Sequence, residues 1–487
     1  MHTIRRSRLT AVAGVLTVVA AAVTVTVGAV PAARAAAGCR VDYAVASQWP
    51  GGFSANVDVT NLGDPVASWQ LTWTFAAGQR VTQLWNGTAT QSGDRVTVAN
   101  AAWNGSLGTG ASTRLGFTGS STGSNPVPTG FAVNGAPCGG PVPPTTTTSP
   151  PPVDALAGAY TVGRVKPTAS AAQYTWPGIS FEGRFRGTGV DVVLNDAQND
   201  YDIQVDGTTV ATLVTPGRTT RQIRGLTDAE HSVRLVKRTE SPWVAGEFDG
   251  FVAAPGGEIL AKPAARSRQI EFIGDSLTAG YGDLSTTRDC SANGGIDRNT
   301  NTDISYGALA ARGLNADYQV NAYSGRGMVR NYNGGEPGTD YRTYYDRTLQ
   351  NVSTETWPVP ATWRPQLVVV ALGTNDFSTA LHSGEPWPTA DSLNAAYKNA
   401  YQGFLDKLRA RYGAGTIIVV GATNLFAGQA QQVVSDRNAQ GDSRVRFWNF
   451  DDPRLDHLGC DWHFSRNDHR IISGLLTDYI ATLPLTW

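Results

Sequence analysis

Ser276 follows a short strand-like stretch, Gln269–Ile273, in the run Gly274-Asp275-Ser276-Leu277. A serine at the C-terminal end of a parallel strand, opening onto a helix N-terminus, sits where ligands and catalysis gather in such sheets. Its hydroxyl is a weak nucleophile until a base takes the proton, and the attack also needs donors for the oxyanion that develops. Elsewhere the chain must therefore supply a base and a set of N–H groups. Six histidines are available: His2, His231, His382, His457, His463 and His469. Asp275 adjoins the serine, but a carboxylate in such a turn is expected to accept backbone N–H groups, and Asp376 is read the same way.

The elements around Ser276 read as alternating strands and helices. From about residue 268, Ile270–Ile273, Leu367–Leu372, Thr416–Val420 and Val445–Trp448 are short apolar strands. Between them, Tyr397, Tyr401, Phe404, Leu408 and Tyr412 fall on one face of a helix over 394–412. Such alternation predicts a parallel sheet covered on both faces, over 263–487. Residues 154–262 read instead as a β-sandwich. Tyr201, Ile203 and Val205 alternate up to the hairpin signal Asp206-Gly207, and Val233 and Leu235 continue the pattern. Residues 38–138 read as a further β-sandwich. There Phe53, Ala55, Val57 and Val59 alternate with polar residues, as do Trp69, Leu71, Trp73 and Phe75. Trp69 and Trp73 are thereby expected in the core. A proline- and threonine-rich spacer, PVPPTTTTSPPP at 141–152 within a linker over 139–153, divides the two regions.

A length of 487 residues suggests about three domains. The net charge of −1, with 16 % charged residues, makes no electrostatic case for nucleic acid or an anionic membrane. Arg5, Arg6 and Arg8, an apolar run from Leu9 to about Val30, and Ala33-Arg34-Ala35 read as an export signal over 1–35, so a secreted, extracellular protein is expected. No later stretch is apolar enough to span a bilayer. The cysteines stand at 39, 138, 290 and 460. In an oxidising compartment they suggest two disulfides, and the spacer favours Cys39–Cys138 and Cys290–Cys460 over the other pairings. No Cys/His cluster argues for a metal, and no cofactor is implied.

Residues 38–138 resemble family 2 carbohydrate-binding modules, through the two terminal cysteines, Leu84-Trp85-Asn86-Gly87 and Ala102-Trp103-Asn104-Gly105-Ser106-Leu107. The resemblance implies cellulose as partner and Trp49, Trp85 and Trp103 as the binding platform. A flat indole can stack on the C–H face of a pyranose, and Trp85 and Trp103 both lie in turns where exposure is expected.

Gly274-Asp275-Ser276-Leu277, continued by Thr278-Ala279-Gly280-Tyr281-Gly282, resembles the first block of the SGNH, or GDSL, hydrolases. Ser324-Gly325-Arg326-Gly327 and Gly373-Thr374-Asn375-Asp376 resemble the second and third. The resemblance implies an oxyanion hole from the N–H groups of Ser276 and Gly325 and the side-chain amide of Asn375. Gly459-Cys460-Asp461-Trp462-His463 resembles the last block and makes His463 the base; His469 is read as a capping or packing residue. Most of the family has Asp three residues before the histidine, where this chain has Cys460. Asp461, two before, reaches the imidazole if the segment is extended, and it is taken as the acid. The alternative is a backbone carbonyl behind His463 and a Ser–His dyad.

A sandwich followed by this last block resembles carbohydrate esterase family 2 over roughly 158–485, including Glu230-His231-Ser232-Val233-Arg234-Leu235-Val236-Lys237-Arg238-Thr239-Glu240. That resemblance implies an acetyl esterase acting on acetylated hemicellulose such as xylan or mannan, with 6-O-acetyl groups as a target. The family's usual proline after the histidine is Phe464 here, which loosens the constraint on that loop. Trp462 and Trp387 are expected to contact sugar, and a monomer is expected.

Overall fold

A computed structural model of the chain describes residues 38–49, 51–121, 125–138, 156–168 and 170–487. The expected export signal and the expected spacer lie outside these residues. The chain divides into two compact units between Thr148 and Ser149.

The first unit is built from two antiparallel sheets. One runs in the order Cys39–Trp49, Gly52–Asn61, Ser112–Ser120, Arg80–Trp85. The other runs Gly87–Ser92, Arg95–Asn100, Gln70–Thr74, Thr129–Val133, Ala136–Pro137. The alternating residues meet between them: Phe53, Ala55, Val57 and Val59 pack with Trp69, Leu71, Trp73 and Phe75, all buried. Cys39 and Cys138 are joined with their Cα atoms 4.5 Å apart.

In the second unit, nine antiparallel strands join into one sheet around two long ones, Ser180–Asp196 and Gly217–Lys237. Their register shifts between Gly187 and Gly189, with Gly187 at φ 121°, a bulge that bends the ribbon so that its apolar face can enclose a core. After it comes a five-stranded parallel sheet in the order Ala316–Ala322, Arg268–Gly274, Leu367–Ala371, Ile417–Ala422, Val445–Asn449. Its side chains alternate between two cores. Ile273, Val368 and Val370 meet Tyr397, Tyr401, Phe404 and Leu408 of the helix Ala390–Tyr412. Ile270, Phe272 and Val369 meet Tyr306–Gly313 and Arg466–Ala481. The first of these helices begins four residues earlier than its apolar pattern, because Thr389 and Ser392 form a capping box there.

The nine-stranded domain and the parallel sheet share one apolar core. A buried ion pair links them: Arg164 Nη2 lies 2.9 Å from Glu271 Oε1, both fully enclosed. Glu271 also accepts from Asn321 Nδ2 at 2.6 Å and from the Tyr345 hydroxyl. The two cannot be separated without leaving a charge buried and unpaired, which is strongly destabilising.

Candidate active site

Ser276, Gly325 and Asn375 each stand just past a strand of the parallel sheet, after Gly274, Ala322 and Ala371 respectively. These are three neighbouring strands, so their C-terminal ends bring the residues together across the point where strand order reverses. Asp275 caps the short helix Ser276–Ala279, its Oδ1 accepting from Leu277 N at 3.1 Å. The Ser276 N–H is therefore the first of a helix and has no intrahelical carbonyl to meet.

His463 Nε2 lies 2.8 Å from Ser276 Oγ. Burial holds the imidazole below its ordinary pKa of 6.5, so it is neutral and able to accept a proton at pH 7. Its Nδ1–H points to the carbonyl oxygen of Cys460 at 2.9 Å. Cys460 is bonded to Cys290, and its N–H donates to Gly282 O at 3.1 Å. Gly282 sits at φ 65°, and a side chain there would collide with Cys460. The glycine thus lets the histidine loop approach the serine segment closely.

Here the structure departs from the expectation for Asp461. Residues Cys460–Trp462 form a 3₁₀ turn rather than an extended segment, with Asp461 at φ 52° and Trp462 at φ 67°. The period of two that aligned Asp461 with His463 does not apply to such a turn. Asp461 Oδ2 instead accepts from the Tyr281 hydroxyl at 3.0 Å, and the Tyr281 ring lies 4.2 Å from the imidazole, centroid to centroid. Tyr281 thus stands between Asp461 and the imidazole, and the Asp461 charge favours the protonated ring.

Gly325, at φ 78°, would meet nothing with an added Cβ, so it faces open space. Asn375 Nδ2 donates to Arg326 O at 3.0 Å and makes a longer contact of 3.3 Å to Asp275 Oδ2. Asp275 and Asp376 are fully buried carboxylates raised by that burial to about 7 and about 6. Asp376 accepts the backbone N–H groups of Met328, Val329 and Arg330 at 2.8, 2.8 and 2.9 Å, which folds the segment after Gly325 around the site.

A cavity of about 660 Å³ opens over these groups, lined by Ser276, Gly325, Asn375, His463, Tyr332 and Trp462, among others. Trp462 is 66 % exposed, with the Arg288 guanidinium 3.6 Å from its ring centre. Trp387 is not in this cavity. It lines a separate one of about 300 Å³ with Arg330, His382 and Glu385. The ion pair Arg330 Nε to Glu385 Oε2, 2.5 Å, ties the tryptophan's loop to the far side of the segment after Gly325. Tyr281 and Tyr332 were not singled out from the sequence; Tyr281 lay within the first block, but Tyr332 carried no local signal. His469 is buried, and its Nδ1 accepts from Tyr306 N at 3.1 Å. Phe464 is buried against Phe450 and His469.

In the first unit, Trp85 and Trp103 are 41 % and 73 % exposed, while Trp69 and Trp73 are buried. The Trp49 side chain lies outside the described residues. Asn104 Nδ2 donates to Asn86 O at 2.9 Å, and Trp69 Nε1 donates to Asn104 O at 2.8 Å. One buried asparagine thus ties the two exposed tryptophan turns to each other and to the core. The Trp85 indole lies against Gly116, where any side chain would displace it.

Three family models match the chain: a cellulose binding domain over 39–138, a carbohydrate esterase 2 N-terminal domain over 161–263, and a GDSL-like lipase/acylhydrolase over 270–475. An acetylxylan esterase/glucomannan deacetylase of Cellvibrio japonicus is 36 % identical over 317 residues, 64 % of this chain and 86 % of the relative. A solved carbohydrate esterase whose active site displays divergent catalytic and non-catalytic binding functions is 35 % identical, with a TM-score of 0.62, covering 67 % of this chain and 98 % of its own. A family two carbohydrate esterase from Clostridium thermocellum, solved with cellohexaose, is 31 % identical, with a TM-score of 0.59, covering 66 % and 98 %.

Proposed function

This chain belongs to carbohydrate esterase family 2, and from that premise we propose that it is a secreted esterase removing O-acetyl groups from hemicellulose, xylan or mannan, with 6-O-acetyl esters among its targets. The observation that carries the reading is the 2.8 Å contact between Ser276 Oγ and His463 Nε2, open to a cavity that Gly325 and Asn375 also line.

Ser276 attacks the acetyl carbonyl as His463 Nε2 takes its proton. The N–H groups of Ser276 and Gly325 and the amide of Asn375 receive the oxyanion. The imidazolium keeps its Nδ1–H on the Cys460 carbonyl, so the ring needs no reorientation to protonate the departing sugar oxygen. Water then attacks the acetyl-serine with His463 again as base, releasing acetate. The exposed indole of Trp462 is proposed to stack on the acetylated sugar, and Trp387 to meet a neighbouring sugar from its own cavity. The module over 38–138 is proposed to hold the enzyme on cellulose through Trp49, Trp85 and Trp103.

The test is acetate release from acetylated xylan and acetylated glucomannan, with Ser276→Ala beside the wild type. Release by the wild type and none by the variant is the expected outcome. Equal release by both would remove the assignment.

A further inference from the structure

We propose that Glu240, which belongs to the nine-stranded domain, is a positioning residue for the oxyanion hole of the hydrolase domain. The proposal rests on the reading of Ser276 and Gly325 given above. Glu240 lies just beyond the end of the long strand Gly217–Lys237. Its Oε1 accepts the backbone N–H of Ser324 at 3.0 Å, and its Oε2 accepts the Ser324 hydroxyl. Ser324 supplies the carbonyl half of the peptide whose N–H half belongs to Gly325. A residue held by both its backbone and its side chain cannot turn that peptide freely.

The far side of the same loop is held by the hydrolase domain itself. Arg326 O accepts from Asn375 Nδ2, and Tyr323 N donates to Gly274 O at 3.1 Å. Ser324-Gly325-Arg326 is therefore clamped between the sandwich on one flank and another proposed oxyanion donor on the other.

The segment bearing Glu240 is held by hydrogen bonds on each of the three residues before it. The buried Lys237 Nζ donates to Thr175 O at 3.1 Å and Thr239 O at 2.5 Å. Thr239 Oγ1 bonds Asn199 Oδ1 and Asp200 N, each at 3.0 Å. Arg238 O accepts from Thr302 N at 2.8 Å, and Thr302 Oγ1 lies 2.6 Å from Ala279 O, the last residue of the nucleophile helix. One stretch of the sandwich thus reaches both the serine helix and the oxyanion loop.

A half-buried carboxylate near a developing oxyanion opposes catalysis by its charge, so its benefit has to come from geometry. Two donors of Ser324 absorb that charge. Burial raises the Glu240 carboxyl, as expected for a group enclosed without a cation in hydrogen-bond contact.

The geometry distinguishes two substitutions. Glu240→Gln keeps an acceptor for the Ser324 N–H, and its amide can donate to the Ser324 hydroxyl, which accepts as readily as it donates. Glu240→Ala leaves both donors without a partner and frees the loop. Kinetics on an aryl acetate read the Ser276 chemistry whatever polysaccharide is the natural substrate, so failure here is distinct from failure of the hemicellulose reading. With folding checked by circular dichroism, Glu240→Ala is expected to lose about 100-fold in kcat, the scale of a lost oxyanion donor or a 1 Å misplacement, with KM within about twofold. Glu240→Gln is expected to stay within about threefold of the wild type, because the hydrogen-bond geometry survives without the charge. A Glu240→Ala kcat near the wild-type value, a loss confined to KM, or equal losses in the two variants would each overturn the proposal. If Glu240→Ala does not fold, Ser324→Ala decides: about tenfold lower kcat at unchanged KM supports it, and unchanged kcat overturns it.

Discussion

The imidazole Nδ1 of His463 lies 2.9 Å from the carbonyl oxygen of Cys460, and no carboxylate stands in that place. A carbonyl dipole fixes the tautomer and the orientation of the ring as a carboxylate would. It supplies less charge to stabilise the imidazolium.

Replacing Asp461 by Asn should therefore lower kcat by about tenfold at most, far from the loss of about 10⁴ seen when a true triad carboxylate is neutralised. The carboxylate charge favours the protonated ring, so the same substitution should move the acid limb of the pH profile to lower pH. A drop of several orders of magnitude in aryl acetate hydrolysis would show that Asp461 swings onto the imidazole during turnover.

The pH dependence follows from the depressed basicity of His463. Below its folded-state pKa the ring is protonated and cannot accept the Ser276 proton; above it the ring is neutral and active. The kcat/KM profile should be flat near pH 7 and fall on the acid side with a midpoint below the ordinary 6.5. A midpoint above 6.5 would contradict the burial argument.

The Cys290–Cys460 bond anchors the carbonyl that holds the His463 ring, the proposed base. Cys290→Ser should reduce kcat while leaving KM for an aryl acetate near its original value. It should also lower stability by about 2–4 kcal/mol, the usual scale for a disulfide. Denaturant unfolding alongside kinetics separates the two effects. An unaltered kcat would mean that the loop holds its shape without the bridge.

On the binding module, Asn104→Ala should uncouple the Trp85 and Trp103 turns, and Gly116→Val should lift the Trp85 indole from its strand. Both should weaken retention on insoluble cellulose without changing aryl acetate hydrolysis. Full retention by both variants would mean that neither indole needs a fixed orientation.

Much of this molecule was legible without coordinates. Strand periodicity placed Trp69 and Trp73 in the core, and the short apolar runs marked the parallel sheet. Ser276, Gly325 and Asn375 each follow a strand end, so topology alone gathers them. His463 is the histidine to which the order of its neighbours points. What lay beyond the sequence has a common cause. The sequence leaves a backbone carbonyl behind His463 only as the alternative to Asp461, because every residue has a carbonyl and no side-chain type announces it. Two left-handed residues, Asp461 and Trp462, turn the chain there, so Asp461 does not align with the imidazole as an extended segment would place it. Trp387 lines a separate cavity, on a loop held to the segment after Gly325 by an ion pair between Arg330 and Glu385, 55 residues apart. Glu240 meets Ser324 only because two domains pack into one core. The amino-acid sequence alone points to Ser276 and His463 and to the elements that carry them; the tertiary structure decided what stands behind each, since those partners are backbone groups and distant side chains brought together by packing.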